Sequence, residues 1–330
     1  MPSVLSKNEK FGYYLYLPKE LRMMVIDEMQ PLDRCRFTEC SMLSLKESKE
    51  SDKYVYGLKL LTTRGRLTIR VVHGVTQRGN GETDEQGFEI RFENSGDRKH
   101  MICKRFDGRD VWRTEMHPSA DVFHFGLEHF KEVLEHYKNK IQSLHIDLRR
   151  ATIDATTIDF GINRFNNLEK LEVQEFHVGQ LVSKTRKTLK ELRIIGNVTM
   201  NLKQVLQEIE NGWEKVIETS EILVFPNNPF TFEEFTQLAA LNISTSIGDL
   251  TESDVCKIVR SWQNETIDKN YAWTLDDSNF DVDKLFSLIG GEVIETNGTK
   301  RIYVKHLTND RRAKCLTFFP NIHFLDFTKL

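Results

Sequence analysis

The sequence predicts a mixed α/β protein, and three observations carry that reading. A helical, apolar-dense segment opens the chain at "LYLPKELRMMVIDEMQPLDRCRFTECSMLSLKE", residues 15–47. From Tyr54 to Glu115 the texture turns to short pieces rich in β-branched and aromatic residues. Beyond residue 141, short strand patterns alternate with helical ones, and the chain closes on further β-rich pieces.

The opening segment reads as helices. Leu17-Pro18 sets an extended entry, because proline biases its predecessor away from the α region. A first helix runs from about Lys19 to Gln30, with Leu21, Met24, Val25, Glu28 and Met29 at helical spacing. Pro31 stops it and starts a second helix carrying Leu32, Cys35, Phe37 and Cys40. Ser44 and Glu47 have capping-box spacing for a third. The apolar residues here outnumber what so few turns bury by themselves.

The next pieces, "YVYGLKL", "RLTIRVV", "GFEIRF", "MICKRF" and "VWRTE", read as an antiparallel meander. The polar, glycine-rich "TQRGNGETDEQG" between them reads as a surface loop or hairpin end. A helix follows at about Gly126 to Lys140, with Phe130, Val133, Leu134, Tyr137 and Ile141 on one stripe.

A weak repeat comes next. Apolar-x-x-apolar-x-apolar recurs at Ile141-Leu144-Ile146, Leu168-Leu171-Val173, Leu189-Leu192-Ile194 and Leu238-Leu241-Ile243, with a degenerate copy at Thr219-Ile222-Val224. The spacing is close to the leucine-rich range of about 20 to 29 residues. Each unit is then one short strand and one helix, stacked on a shared core as a degenerate leucine-rich-like solenoid. Helical patterns lie between copies at Leu202-Val205-Leu206-Ile209 and Phe232-Phe235-Leu238. "LTESDVCKIVRSW" begins with Thr251 three before Asp254 and buries Val255, Ile258, Val259 and Trp262. A strand follows near Ala272 to Leu275. "GEVIETNGTKRIYVKHL" reads as a closing β-hairpin turning at Asn297-Gly298, and "AKCLTFFPNIHFLDF" as one or two last strands.

Composition narrows the function. With 330 residues, 39% apolar and 29% charged, the chain reads as soluble and globular. A net charge of -3 argues against a nucleic-acid binder, which needs clustered excess Lys and Arg. No apolar run approaches the roughly 20 residues of a membrane span, and "MPSVLSKNEKFGYY" lacks a secretory core. Cys35, Cys40, Cys103, Cys256 and Cys315 are an odd set, read as reduced thiols of the cytoplasm or nucleus. The sequons at Asn197, Asn242, Asn264 and Asn297 are silent there.

No residue pattern makes a catalytic site. His117, His124, His129 and His136 crowd one region, but no H-E-x-x-H is present, and His129 and His136 read as polar flanks of the helical stripe. Cys35 and Cys40 lack the second pair of a zinc site and read as small buried hydrophobes. Asp276-Asp277 and Asp281-x-Asp283 read as a solvated loop, without the glycine and glutamate of a calcium loop. There is no phosphate loop, no dinucleotide fingerprint and no nucleophile elbow. No cofactor and no metal are expected.

The opening segment resembles an F-box, on Leu17-Pro18, Glu20, Leu21, Ile26, Met29, Asp33, Phe37, Cys40-Ser41 and Ser44. The tryptophan common near the end of vertebrate F-boxes is absent, with Ser44 in its place. The remainder resembles the large nematode set of F-box proteins with a type 2 F-box-associated domain, in which an element like "LTESDVCKIVRSW" recurs; the related FTH domain is the alternative for the C-terminal part. The resemblance implies an F-box at 12–52, a β-rich connecting segment at 53–120 and a substrate-recognition domain at 121–330. It implies docking to the adaptor Skp1, and through it to cullin, by Leu17, Pro18, Leu21, Ile26, Met29, Asp33 and Phe37. It also implies capture of a protein target and no active site of the chain's own. The competing expectation is a repeat-type interaction scaffold unrelated to ubiquitin, in which the opening helices merely cap the stack.

Overall fold

The computed structural model describes residues 16–29, 55–77, 83–95, 98–105, 110–116, 121–151, 158–196, 212–219, 222–224, 230–246, 250–264, 270–275, 280–290, 293–306, 313–319 and 324–329. The chain is mixed α/β and divides into two compact units. The first takes in described residues up to Ser143 together with Arg150 and Ala151; the second takes in Leu144–Arg149 and the described residues from 158 onward.

The first described element of the N-terminal unit is helix α1 (Lys19–Glu28). Its sheet is the antiparallel meander β1 (Gly57–Thr63), β2 (Arg66–Gln77), β3 (Thr83–Ser95), β4 (Arg98–Arg105) and β5 (Asp110–Glu115), each paired with the next. Period-2 alternation sorts its faces. Leu58 and Leu60, Leu67, Ile69 and Val71, and Phe88, Ile90 and Phe92 are buried. Cross-strand ion pairs occupy the opposite face, with Lys59–Glu85 at 2.6 Å and Arg66–Glu93 at 3.1 Å. The polar run that reads as a surface loop or hairpin end between β2 and β3 is partly strand: Thr76 and Gln77 pair with Asp84 and Thr83. Backbone pairing needs no apolar side chain, so a hairpin runs on past its hydrophobic part.

Helix α2 (Val122–Tyr137) covers this sheet, packing on β2 and β3. It starts four residues earlier than the apolar stripe suggests, because Asp121 is its N-cap and accepts from Phe123 N at 2.9 Å and His124 N at 3.1 Å. The stripe is buried through Leu127, Phe130, Leu134 and Tyr137. The sequence reading places this helix in a third segment from residue 121. Its packing places it with the meander.

Gly126 sets how closely α2 approaches. A Cβ there meets Leu67 Cδ2 at 2.8 Å and Phe92 Cδ2 at 3.0 Å. Both neighbours are fully buried. Gly126→Ala is therefore expected to cost about 1–3 kcal/mol through overpacking, outweighing alanine's better helix propensity. Thermal unfolding of the two proteins side by side measures this.

The second unit alternates strands and helices. Its described elements are β6 (Ser143–Asp147), β7 (Lys170–Gln174), α3 (Glu175–Val182), β8 (Glu191–Ile195), α4 (Gly212–Ile217), β9 (Ile222–Val224), α5 (Phe232–Gln237), β10 (Asn242–Ser246), α6 (Glu252–Asn264), β11 (Asn270–Thr274), α7 (Val282–Ile289), β12 (Val293–Thr296), β13 (Thr299–His306), β14 (Ala313–Phe319) and β15 (Phe324–Lys329). Strands β7 to β11 run parallel in chain order. Strand β15 joins β11 antiparallel, followed outward by β14, β13 and β12.

Register tests the repeat residue by residue. Leu171, Leu192, Leu223, Ile243 and Tyr271 form one ladder row. The first copies fit, with Leu144, Ile146, Leu171, Val173, Leu192 and Ile194 all buried. The degenerate copy is one residue out, since Leu223 and not Ile222 stands in the row. The last is two out: Ile243 takes the row, while Leu241 precedes the strand and is 37% exposed. A one-residue slip turns a strand over, so neighbouring strands decide register where the local pattern is weak.

Caps fix the helices between. Thr231 and Glu234 form a reciprocal capping box on α5. On α6, Thr251 N donates to Asp254 Oδ2 at 3.2 Å and Asp254 N to Thr251 Oγ1 at 3.3 Å. Val255, Ile258, Val259 and Trp262 are buried beneath. Asp281, read from sequence as part of a solvated loop, is the N-cap of α7 and accepts from Lys284 N at 3.0 Å. The predicted helix at 202–209 lies outside the described residues. No helix among the described residues is long and apolar enough to cross a membrane.

Candidate functional site

Helix α1 carries the surface that the sequence singles out. Pro18 stands at its N-cap with φ -52° and ψ 150°, an extended entry that no side chain caps. Arg22 ties that entry down: its backbone N–H donates to Pro18 O at 3.0 Å and its Nη1 to Leu17 O at 2.6 Å. The helix closes where Met29 turns extended and donates to Ile26 O at 3.2 Å.

At about 100° per residue, Leu17, Leu21, Met24, Val25 and Glu28 share one face. That face is open. Leu21 is 46% exposed, Met24 62% and Val25 40%, and Tyr16 just before the helix is 86% exposed. Ile26, about 140° round from Leu21, is fully buried and seats the helix. A surface helix ordinarily hides its apolar stripe. This one buries Ile26 and turns a second apolar face outward.

The predicted docking residues therefore fall into three sets. Pro18 and Leu21 are exposed, and Leu17 and Met29 are half-buried. Ile26 is inaccessible in the free chain. Asp33 and Phe37 lie outside the described residues, as do Cys35, Cys40 and Ser44. The structure adds Met24 and Val25 to the open face, and Tyr16 is exposed just before the helix. Helical spacing shows Met24 and Val25 on that stripe, but spacing alone does not distinguish a buried stripe from an open one.

A concavity of about 380 Å³ lies at the ends of β7 and β8 and is lined by Arg149, Gln174, Glu175, Phe176, Ile195 and Gly196. Its arginine is paired with a neighbouring carboxylate. Arg149 holds Asp147 through two bonds, Nε–Oδ1 at 3.0 Å and Nη2–Oδ2 at 2.7 Å. Burial pushes the Asp147 carboxyl up, but the Arg149 bonds outweigh it and hold it below its ordinary range. Gln174 Oε1 accepts the backbone N–H of Leu148 at 3.0 Å. Its lining includes no Ser, Thr, Cys, Lys or His side chain.

Across the same strands, side chains pair between neighbours: Lys170–Glu191 at 2.9 Å, His145–Glu172 at 3.4 Å and Arg193–Glu172 at 3.5 Å. His129 lies 3.7 Å from Glu132, and His136 packs edge-on against Tyr137 at 4.6 Å. Among the described residues, no group of three His, Cys, Asp or Glu side chains is placed to hold a metal. Cys256 and Cys315 are buried free thiols.

No family model, no curated protein and no solved structure matches the chain.

Proposed function

We propose that the chain is the substrate-recognition subunit of a Skp1–cullin–F-box ubiquitin ligase. The supporting observation is the apolar face of α1, with Leu21, Met24 and Val25 turned to solvent just after the half-buried Leu17 and exposed Pro18. An exposed apolar patch of this kind marks a protein interaction surface. In this reading Leu17, Pro18, Leu21 and Met29 touch the Skp1 adaptor, Ile26 acts by seating the helix, and Asp33 and Phe37 complete the contact. The second unit, read as a degenerate leucine-rich-like solenoid, holds the target.

Such a receptor needs no catalytic group of its own. It accelerates ubiquitin transfer by holding the target near the charged conjugating enzyme, which raises effective concentration. The competing scaffold reading requires the opening helix to hide its apolar face as a cap, and the open face of α1 argues against it.

Affinity purification from cells, read by mass spectrometry, tests the proposal. The tagged chain is expected to recover a Skp1-type adaptor and cullin together with a target. Recovery of a target without adaptor or cullin favours the scaffold.

A further inference from the structure

The far edge of the second unit holds a different open surface. Among the described residues, β12 ends the sheet and pairs with β13 alone. Its hairpin turns on Asn297 (φ 50°) and Gly298 (φ 77°), the two left-handed residues of a type I′ turn. Thr296 and Thr299 then close the turn as a hydrogen-bonded pair, and alternation makes Ile294–Arg301 the next such pair. Val293 and Glu295 consequently aim their backbone N–H and C=O groups away from β13, toward the vacant edge.

The same two residues line a cavity. Their side chains share one face of the strand and border about 460 Å³ together with Asp283, Phe286, Gly290 and Lys300. All of β12 is exposed, including Val293 at 42% and, on the opposite face, Ile294 at 44%. A bare edge flanked by apolar side chains is a template for another strand.

Charge defines that strand. Asp283 accepts from Lys300 Nζ at 2.5 Å. This bond, against the burial penalty, holds the Lys300 ammonium above its ordinary range, and Glu295 and Asp281 add to the field. The lysine thus sits among Asp281, Asp283 and Glu295, and the cavity is left with negative charge. A second copy of the chain in this place brings two such clusters together, which disfavours it.

We propose that the β12 edge binds an extended segment of a partner protein, which adds as an antiparallel strand. That segment reads Lys or Arg, then apolar, then apolar. The basic side chain stands opposite Glu295, the last apolar one enters the cavity beside Val293, and the residue between them covers Ile294. Main-chain bonds supply the docking and alternate side chains the selectivity. This inference is independent of what α1 binds.

The test measures fluorescence anisotropy of a labelled peptide, Ser-Thr-Lys-Val-Val-Thr-Ser, titrated with the full chain to about 0.5 mM. The same peptide with Glu for Lys is the control and is expected to bind about tenfold more weakly or worse. Glu295→Pro removes the outward N–H and leaves the β12–β13 ladder intact; it is expected to weaken the Lys peptide about tenfold with the melting temperature unchanged. Glu295→Lys is expected to reverse the order of the two peptides, and it decides the matter if Glu295→Pro is less stable. No binding, equal binding of both peptides, or Glu295→Lys binding like the wild type overturns the proposal. So does a dimer in sedimentation velocity that Glu295→Pro dissolves, since the occupant is then a second copy.

Discussion

Acidification from pH 7 to below pH 4 is expected to cost the second unit about 3 kcal/mol through His177 alone. This histidine lies on α3, is 1% exposed and is wedged between Phe160 and Phe176, with ring centroids at 5.0 and 4.6 Å. Its Nε2 makes no hydrogen bond among the described residues. Burial in this aromatic slot lowers its pKa from 6.5 to about 4. The folded protein therefore resists a proton that the unfolded chain accepts. The associated stability is fully present above about pH 6.5, shrinks as pH falls, and is gone below about pH 4.

Urea unfolding at pH 7.5, 5.5 and 4.0 measures the effect. His177→Phe keeps the slot filled and removes the titrating group. It is expected to flatten the pH dependence between 6.5 and 4 while unfolding at pH 7.5 with an unchanged or higher midpoint. A variant with the same acid slope as the wild type shows that other groups carry the loss. The carboxylates of Asp147, Glu252 and Asp254 are themselves held below their ordinary ranges and contribute in the same direction, but only at lower pH.

The second large effect concerns the open face of α1. Transferring a Leu- or Met-sized side chain from water to a protein interior is worth about 1.5–3 kcal/mol. Leu21, Met24 and Val25 keep 46%, 62% and 40% of their surface in water in the free chain, so about half of that gain is still available to a partner. Ile26 has already spent its own on folding. Truncating Leu17 or Leu21 is therefore expected to cost binding about 2 kcal/mol each, and the pair more than a hundredfold in affinity, roughly. Truncating Ile26 is expected instead to loosen the helix and lower the chain's own stability.

Much of the fold is legible in the sequence because its local signals agree. Thr251 with Asp254, the buried positions of α6 and the Asn297-Gly298 turn each specify one conformation, and the structure adopts it. The repeat is legible where Leu171, Leu192 and their partners recur at regular spacing. It slips at Ile222 and Leu241, where several apolar residues compete and the neighbouring strands set the register. Asp281 is missed for a related reason: an acidic pair reads as a loop until the helix that follows gives the first carboxylate an N–H to cap.

The site is legible in position and less so in detail. Spacing places Leu21, Met24 and Val25 on one stripe of α1, but which side of the helix meets solvent depends on what the rest of the chain provides for it. Ile26 shows this most plainly, since resemblance puts it on the docking face and packing buries it. The cavity beside β12 is out of reach of sequence alone. Val293 and Glu295 look like ordinary strand residues until the sheet order makes β12 the last strand among the described residues.

The most direct measurement is a calorimetric titration of the purified chain with a purified Skp1-type adaptor, in parallel with the Leu17→Ala, Leu21→Ala double variant. The account predicts a one-to-one complex for the wild type, a negative heat-capacity change from burial of the α1 face, and loss of more than about a hundredfold in affinity in the variant at unchanged thermal stability. A wild-type chain that ignores the adaptor, or a double variant that binds it equally well, contradicts the account.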